Sequence, residues 1–214
     1  MGTTVWEPIA RILAASNGFS VCDPKQLLKP NPYPQAIQHK VSDLEEQRKS
    51  SSGISLVACR EEIRQVALQI DRSQIQNFVK PSAGRGVDLY FTKGDREYAF
   101  DLKTNQPNRG DGAKFNRQLL DWYAYRFCQN PESQFEARIA FPFNPYEKDW
   151  WEQQGKRVSP LTPAEAWVED KFWDFCSGEE GTWQQIENIF IELGQEENFS
   201  REFRDIFYSQ DDPN

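Results

Sequence analysis

The sequence predicts a mixed α/β fold: a core of order α-β-β-β-α-β on a mixed sheet, with an added N-terminal segment and C-terminal helices. Three observations carry this. Residues 54–70, ISLVACREEIRQVALQI, place apolar side chains (Val57, Ile63, Val66, Ala67, Ile70) at helical intervals. Residues 86–104, GVDLYFTKGDREYAFDLKT, alternate apolar and polar residues on either side of Gly94-Asp95, the pattern of a β-hairpin. The helix-patterned AKFNRQLLDWYAYRFC then leads into the alternating FEARIAFPF at 135–143, so that strand, helix and strand make a parallel crossover.

The elements follow in order. A short helix runs through Ile12 and Leu13, and residues 23–36, with four prolines, read as a loop. The helix over 54–70 comes next, then IQNFVK as a short first strand, then the hairpin. The turn formers of NQPNRGDG lead into the crossover helix, where Phe115, Leu119, Trp122 and Phe127 form the apolar stripe and Lys114 and Arg117 lie on the polar side. Beyond the last strand, Thr162, Pro163 and Glu165 form a capping box for a helix through Trp167, Phe172 and Phe175 that stops near Gly178. Thr182 and Gln185 form a second box for a helix ending near Gly194, and Phe199, Phe203, Ile206 and Phe207 mark a last amphipathic stretch.

Composition narrows the function. At 214 residues with 38% hydrophobic content the chain fits one domain with a substantial core. No apolar run approaches the roughly 20 residues of a membrane span and no signal peptide opens the chain, so a cytoplasmic protein is expected. Cys22, Cys59, Cys128 and Cys176 form no C-x-x-C pair, and His39 is the single histidine, which excludes a mechanism needing two. The net charge of −8 is unevenly spread. Residues 80–130 hold nine Lys/Arg against six Asp/Glu, a surplus of three, whereas residues 131–214 hold seven against nineteen. An acidic chain with a locally basic block is compatible with nucleic acid.

The hairpin carries the chemistry. A two-residue loop with Gly first favours a type II′ turn, so Lys93 faces Arg96, Phe91 faces Tyr98, Leu89 faces Phe100 and Val87 faces Leu102. Those apolar residues share one face. The other face sets Asp88 opposite Asp101, with Lys103 pointing the same way. Like charges directly opposed destabilise a sheet, but their Cβ atoms lie about 4.5–5.5 Å apart, close enough for both carboxylates to hold one divalent cation. The plainer alternative is a half-solvated hairpin with a charged outer face, and a longer loop would change the register.

This order of elements, with Asp88 on one strand and Asp101-Leu102-Lys103 on the next, resembles the PD-(D/E)XK nuclease superfamily; Val87 stands where the nominal Pro would be. Over residues 54–195 the segments GVDLYF, FDLKTNQPN, KFNRQLLDWYAYR, FPFNPY and FWDF are similar to type II restriction endonucleases of the TdeIII type. The resemblance implies a single nuclease domain over 1–214, with its core at about 54–143 and a helical extension at about 162–208. It implies a homodimer that cuts both strands of double-stranded DNA at a short, roughly palindromic site, with Mg²⁺ as cofactor. Asp88, Asp101 and the Leu102 carbonyl would hold the metal, and Lys103 would stabilise charge on the phosphate. A further acidic ligand from the preceding helix would be Glu62, favoured over Glu61 because Ile63 and Val66 turn that side inward; a solvated REEIR face is the alternative. Thr104, Asn105, Gln106, Arg109, Lys114 and Arg117 would contact DNA; the alternatives are that Thr104, Asn105 and Gln106 only shape the loop and that Lys114 and Arg117 are solvated helix charges. The alternatives are a repair or junction nuclease, a non-catalytic DNA-binding relative, and a protein-interaction module.

Overall fold

The computed structural model describes residues 3–50, 53–104 and 106–195. Its centre is a five-stranded mixed sheet in the order β1-β4-β5-β6-β7, where β1 is Ser20–Cys22, β4 Leu89–Lys93, β5 Arg96–Leu102, β6 Gln134–Phe141 and β7 Ala166–Val168. The pairs β1/β4 and β4/β5 are antiparallel, and β5/β6 and β6/β7 are parallel. A separate two-stranded ribbon joins β2 (Lys29–Asn31) to β3 (Asn77–Val79). The helices are α1 (Thr3–Ser16), α2 (Gln35–Lys49), α3 (Leu56–Gln69), α4 (Asp111–Gln129), α5 (Trp150–Val158), α6 (Asp170–Ser177) and α7 (Thr182–Gln195).

The hairpin forms as its residues dictate. Lys93 pairs with Arg96 and Leu89 with Phe100. Gly94 takes φ 63° while Asp95 is not left-handed, as a type II′ turn requires. One position departs from the expected register. The Asp88 N–H donates to the Phe100 carbonyl at 2.9 Å, although Phe100 is already opposite Leu89. Two residues therefore face one, which is a β-bulge. It turns Val87 away from Leu102: Val87 packs in one core cluster, and Leu89, Phe91, Phe100 and Leu102 pack in the other.

Both faces of the sheet are buried. Helices α2, α3, α4 and α5 cover one face through Leu44, Ile63, Leu119, Trp122 and Trp150. Helices α1, α6 and α7 cover the other through Ala10, Ala14, Phe172, Trp173 and Ile186. The hairpin is thus not half-solvated. Its polar-looking Glu97 is held by Arg126 with two bonds of 2.8 Å and by the Ser133 hydroxyl at 2.6 Å, which offsets the cost of burying a carboxylate. The crossover β5-α4-β6 forms with Arg96 beside Gln134 and Leu102 beside Ala140.

Several expectations need correction. The first core strand is β1, not IQNFVK; β3 exposes every side chain and has no face to bury. The proline-rich 23–36 segment contains β2 and opens into α2, whose Ile37, Val41, Leu44 and Arg48 point inward. The sheet therefore reaches beyond 54–143 at both ends, through β1 and β7. The Thr162–Glu165 box forms, with the Thr162 N–H on Glu165 at 2.9 Å and the Ala164 N–H on the Thr162 hydroxyl at 3.3 Å. It closes only a turn, and Trp167 lies in β7 because the chain pairs with β6 there. At α7 the N-terminal N–H groups of Thr182 and Trp183 go to Asp174 and Asp170 of α6, not to a box with Gln185. The stretch Phe199–Phe207 lies outside the described residues.

Candidate active site

The bulge aims Asp88 at the end of β5. Its Oδ2 accepts the Leu102 N–H at 2.7 Å, locking the carboxylate against the neighbouring strand. Asp101, 5% exposed, lies close enough to Asp88 for the neighbouring carboxylate to raise its pKa. Lys103 follows directly; its N–H bonds the Ala140 carbonyl at 2.8 Å and carries the β5/β6 ladder one residue past the strand. Its Nζ sits 2.6 Å from Asp101 Oδ2. Burial lifts the Asp101 carboxyl to about 7; the Lys103 ammonium pulls it down and Asp88 pushes it up. The sequence-predicted trio Asp88, Asp101 and Lys103 is therefore brought together, by a bulge rather than by direct opposition.

This donor set suits a hard divalent cation. Two carboxylates crowd together, and Asp101 Oδ2 is buried and, among the described residues, has no partner at hydrogen-bond geometry despite its ion contact with Lys103. Oxygen donors of this kind fit Mg²⁺-like ions, which retain several waters and need only one or two protein carboxylates. Among the described residues no group of three or more His, Cys, Asp or Glu converges on one point.

Glu62 does not join the aspartates. It extends from α3 to Lys40 of α2 at 3.0 Å, and Glu61 pairs with Arg64 at 3.3 Å and accepts from Gln65 at 2.6 Å. The expectation took α3 for the helix preceding the hairpin's sheet; α3 packs on α2 and α4, and the helix that precedes β1 is α1. An acidic residue of α1, Glu7, which the sequence pattern did not single out, lies near Asp88. Arg11 Nη2 donates to the Asp88 carbonyl at 3.1 Å and lies 3.8 Å from Glu7. Burial first, and then the nearby Asp88, raises the Glu7 carboxyl, against the pull of Arg11. Glu7, Arg11, Val87 and Asp88 line a shared cavity of about 570 Å³. A Glu–Arg pair four apart on a helix upstream of the hairpin was the available signal.

The expected DNA contacts divide. Thr104 is half-buried, Gln106 and Arg109 are exposed, and Asn105 lies outside the described residues. Thr104 and Gln106 line a small cavity of about 140 Å³ with Lys103. Lys114 pairs with Asp111 at 3.0 Å, and Arg117 reaches both Glu45 and Asp121 at 3.1 Å. A larger cavity of about 630 Å³, around Arg48, Arg60, Glu136 and Arg138, shares no residue with the aspartate site.

The chain matches the family model described as type II restriction endonuclease, HinfI, over residues 1–194. It is 26% identical over 206 residues to the type II restriction enzyme MjaII of Methanocaldococcus jannaschii, with 91% of this chain and 52% of that protein covered. The chain thus spans about half the length of this curated relative. No solved structure matches. With the match running from α1 through nearly all of α7, and so through every element that positions Asp88, Asp101 and Lys103, the chain belongs to the HinfI family of type II restriction endonucleases.

Proposed function

We propose that this chain is a type II site-specific deoxyribonuclease that hydrolyses phosphodiester bonds in double-stranded DNA at a short site, with Mg²⁺. The observation that carries the reading is the bulged hairpin holding two mutually repelling carboxylates beside a lysine. The order α1-β1-β4-β5-α4-β6 supports membership of the PD-(D/E)XK superfamily. The likeness to the TdeIII type rests on the short segments quoted above, while the family match is to HinfI, and both readings share this reaction.

Asp88, Asp101 and the Leu102 carbonyl would hold the Mg²⁺, and Glu7 of α1, which lines a cavity with Asp88, would be the nearby helical carboxylate that acts on the site through Asp88. The ion supplies a Lewis acid for the phosphoryl oxygen and a water of lowered pKa. The residues' own work is to bind and orient. The Leu102 N–H fixes Asp88, and Arg11 fixes the bulge from below. Lys103, whose Nζ stands 2.6 Å from Asp101 Oδ2, would offset with its ammonium the charge built up on the phosphate in the transition state. Thr104, Asn105, Gln106, Arg109, Lys114 and Arg117 are the proposed DNA contacts.

The 214 residues are read as one nuclease domain acting as a homodimer, since two-fold DNA is most simply served by two related sites. Phe172 and Trp173 are buried in the core, so among the described residues after Thr162 the apolar surface offered for pairing is that of α7, where Ile189, Phe190 and Ile191 are exposed. A cytoplasmic location is part of this reading; among the described residues no helix is long and apolar enough to cross a membrane. Digestion of phage DNA with Mg²⁺ tests the proposal. Discrete fragments are expected; a smear or junction preference would point to repair, and intact DNA to a binding protein.

A further inference from the structure

Resting on that reading of the site, the surface next to it indicates how the substrate strand is tracked. One cavity, of about 320 Å³, is lined by Lys103, Arg85, Lys114 and Gln118. A second, of about 500 Å³, is lined by Arg85, Lys114, Arg117, Lys29 and Tyr33. Because Arg85 and Lys114 belong to both, the two join into one trough that starts at Lys103 and ends at Lys29. Most of its cations are already committed: Lys103 to Asp101, Lys114 to Asp111, and Arg117 to Glu45 and Asp121. Among the described residues, Arg85 and Lys29 are the trough cations in no ion pair.

Arg85 is also held in place. Its N–H bonds the Ser82 carbonyl at 3.0 Å, closing a turn in which Gly84 takes φ 73°. Its carbonyl accepts the indole N–H of the fully buried Trp122 at 2.9 Å, and Gln118 reaches the Gly86 carbonyl at 3.4 Å. The backbone is thus anchored on α4 while the side chain stands exposed at the junction of the two cavities. A fixed base and an exposed guanidinium in no ion pair, with Asp121 as its acidic neighbour in the trough, suit a phosphate oxygen pair, which Arg engages with two parallel bonds.

We propose that Arg85 is a phosphate clamp: it grips a non-scissile phosphodiester of the DNA strand that runs from Lys103 along the trough to Lys29. A contact of this type adds affinity and register without reading sequence. Fluorescence anisotropy of labelled duplexes, with wild-type protein, Arg85→Ala and Arg85→Lys, over a salt titration without divalent ion, is the test. Loss of one phosphate contact lowers the slope of log K against log[salt] by about 0.9, and does so equally on cognate and random duplexes. Arg85→Lys should keep the slope because it keeps the charge. Should Arg85→Ala fold poorly, Arg85→Gln, which removes charge and keeps length, must give the same change. An unaltered slope, or a loss confined to one sequence, overturns the clamp. If wild-type protein neither binds nor cuts DNA, the nuclease reading has failed; if it cuts while Arg85→Ala keeps the wild-type slope, only the clamp has.

Discussion

Replacing Asp101 by Asn should stabilise the metal-free protein at pH 8. The Asp101 carboxyl has an ordinary value of 3.8 and stands near 7 in the fold, chiefly through burial. The folded state therefore holds the proton more tightly than the unfolded chain. Stability from this group is full below pH 3.8 and falls as pH rises toward about 7. Above that, the accumulated penalty is about 4 kcal/mol. Asn keeps the shape and removes the charge. The pull of the Lys103 ammonium is already contained in that shifted value and is not subtracted again. The net gain is about 4 kcal/mol, or roughly 8–16 °C in unfolding midpoint for a chain of this size. Calorimetry of both proteins in chelator between pH 4 and pH 8 measures it. The difference should shrink toward zero as the pH falls, and Mg²⁺ should raise the wild-type midpoint but not that of the variant. A variant less stable than wild type at pH 8, or a gain that ignores pH, would refute the reasoning.

The remaining predictions concern rate and stability. Lys103→Ala should lower turnover by at least about a hundredfold while changing DNA affinity only severalfold, because its role is tied to charge in the transition state; single-turnover cleavage and binding assays separate the two. Glu7→Ala should cut cleavage by more than about tenfold whereas Glu62→Ala stays near wild type, and the reverse order would restore α3 as the source of the helical carboxylate. Arg48→Ala should destabilise the fold by about 3–5 kcal/mol in chemical denaturation, since it strands the buried Glu165, 2.9 Å from Arg48 Nη2, together with the Asn116 and Ile54 oxygens that it bonds.

Local chemistry made the hairpin legible. Gly94 set the turn, alternation set the faces, and the pairs from Leu89–Phe100 to Lys93–Arg96 formed as read. The bulge at Asp88 was not legible, because no Gly or Pro marks it and only a cross-strand bond to Phe100 records it. Missing it left Val87 on the wrong face. The first core strand was missed because three residues, Ser20–Cys22, are too few to show a period. With β1 hidden, α3 stands as the helix before the sheet and offers Glu62, whereas the helix that precedes β1 is α1, which carries Glu7. Helix α2 hid because one of its inward positions is Arg48, whose burial makes sense only with Glu165 far along the chain. Trp167 read as helical because a capping box is a local signal, and β7 exists through pairing with β6.

The measurement closest to the central claim is Mg²⁺-dependent cleavage of phage DNA by wild-type protein beside Asp88→Ala, with circular dichroism to establish that both are folded. Asp88 sits on the bulge and accepts the Leu102 N–H, so its loss removes a carboxylate from the proposed cation site while leaving the core clusters intact. The expected result is a ladder of discrete fragments from wild type, abolished by chelator, and uncut DNA from the folded variant. Discrete fragments from Asp88→Ala, or uncut DNA from folded wild type with Mg²⁺ on DNA rich in short palindromes, would contradict the account.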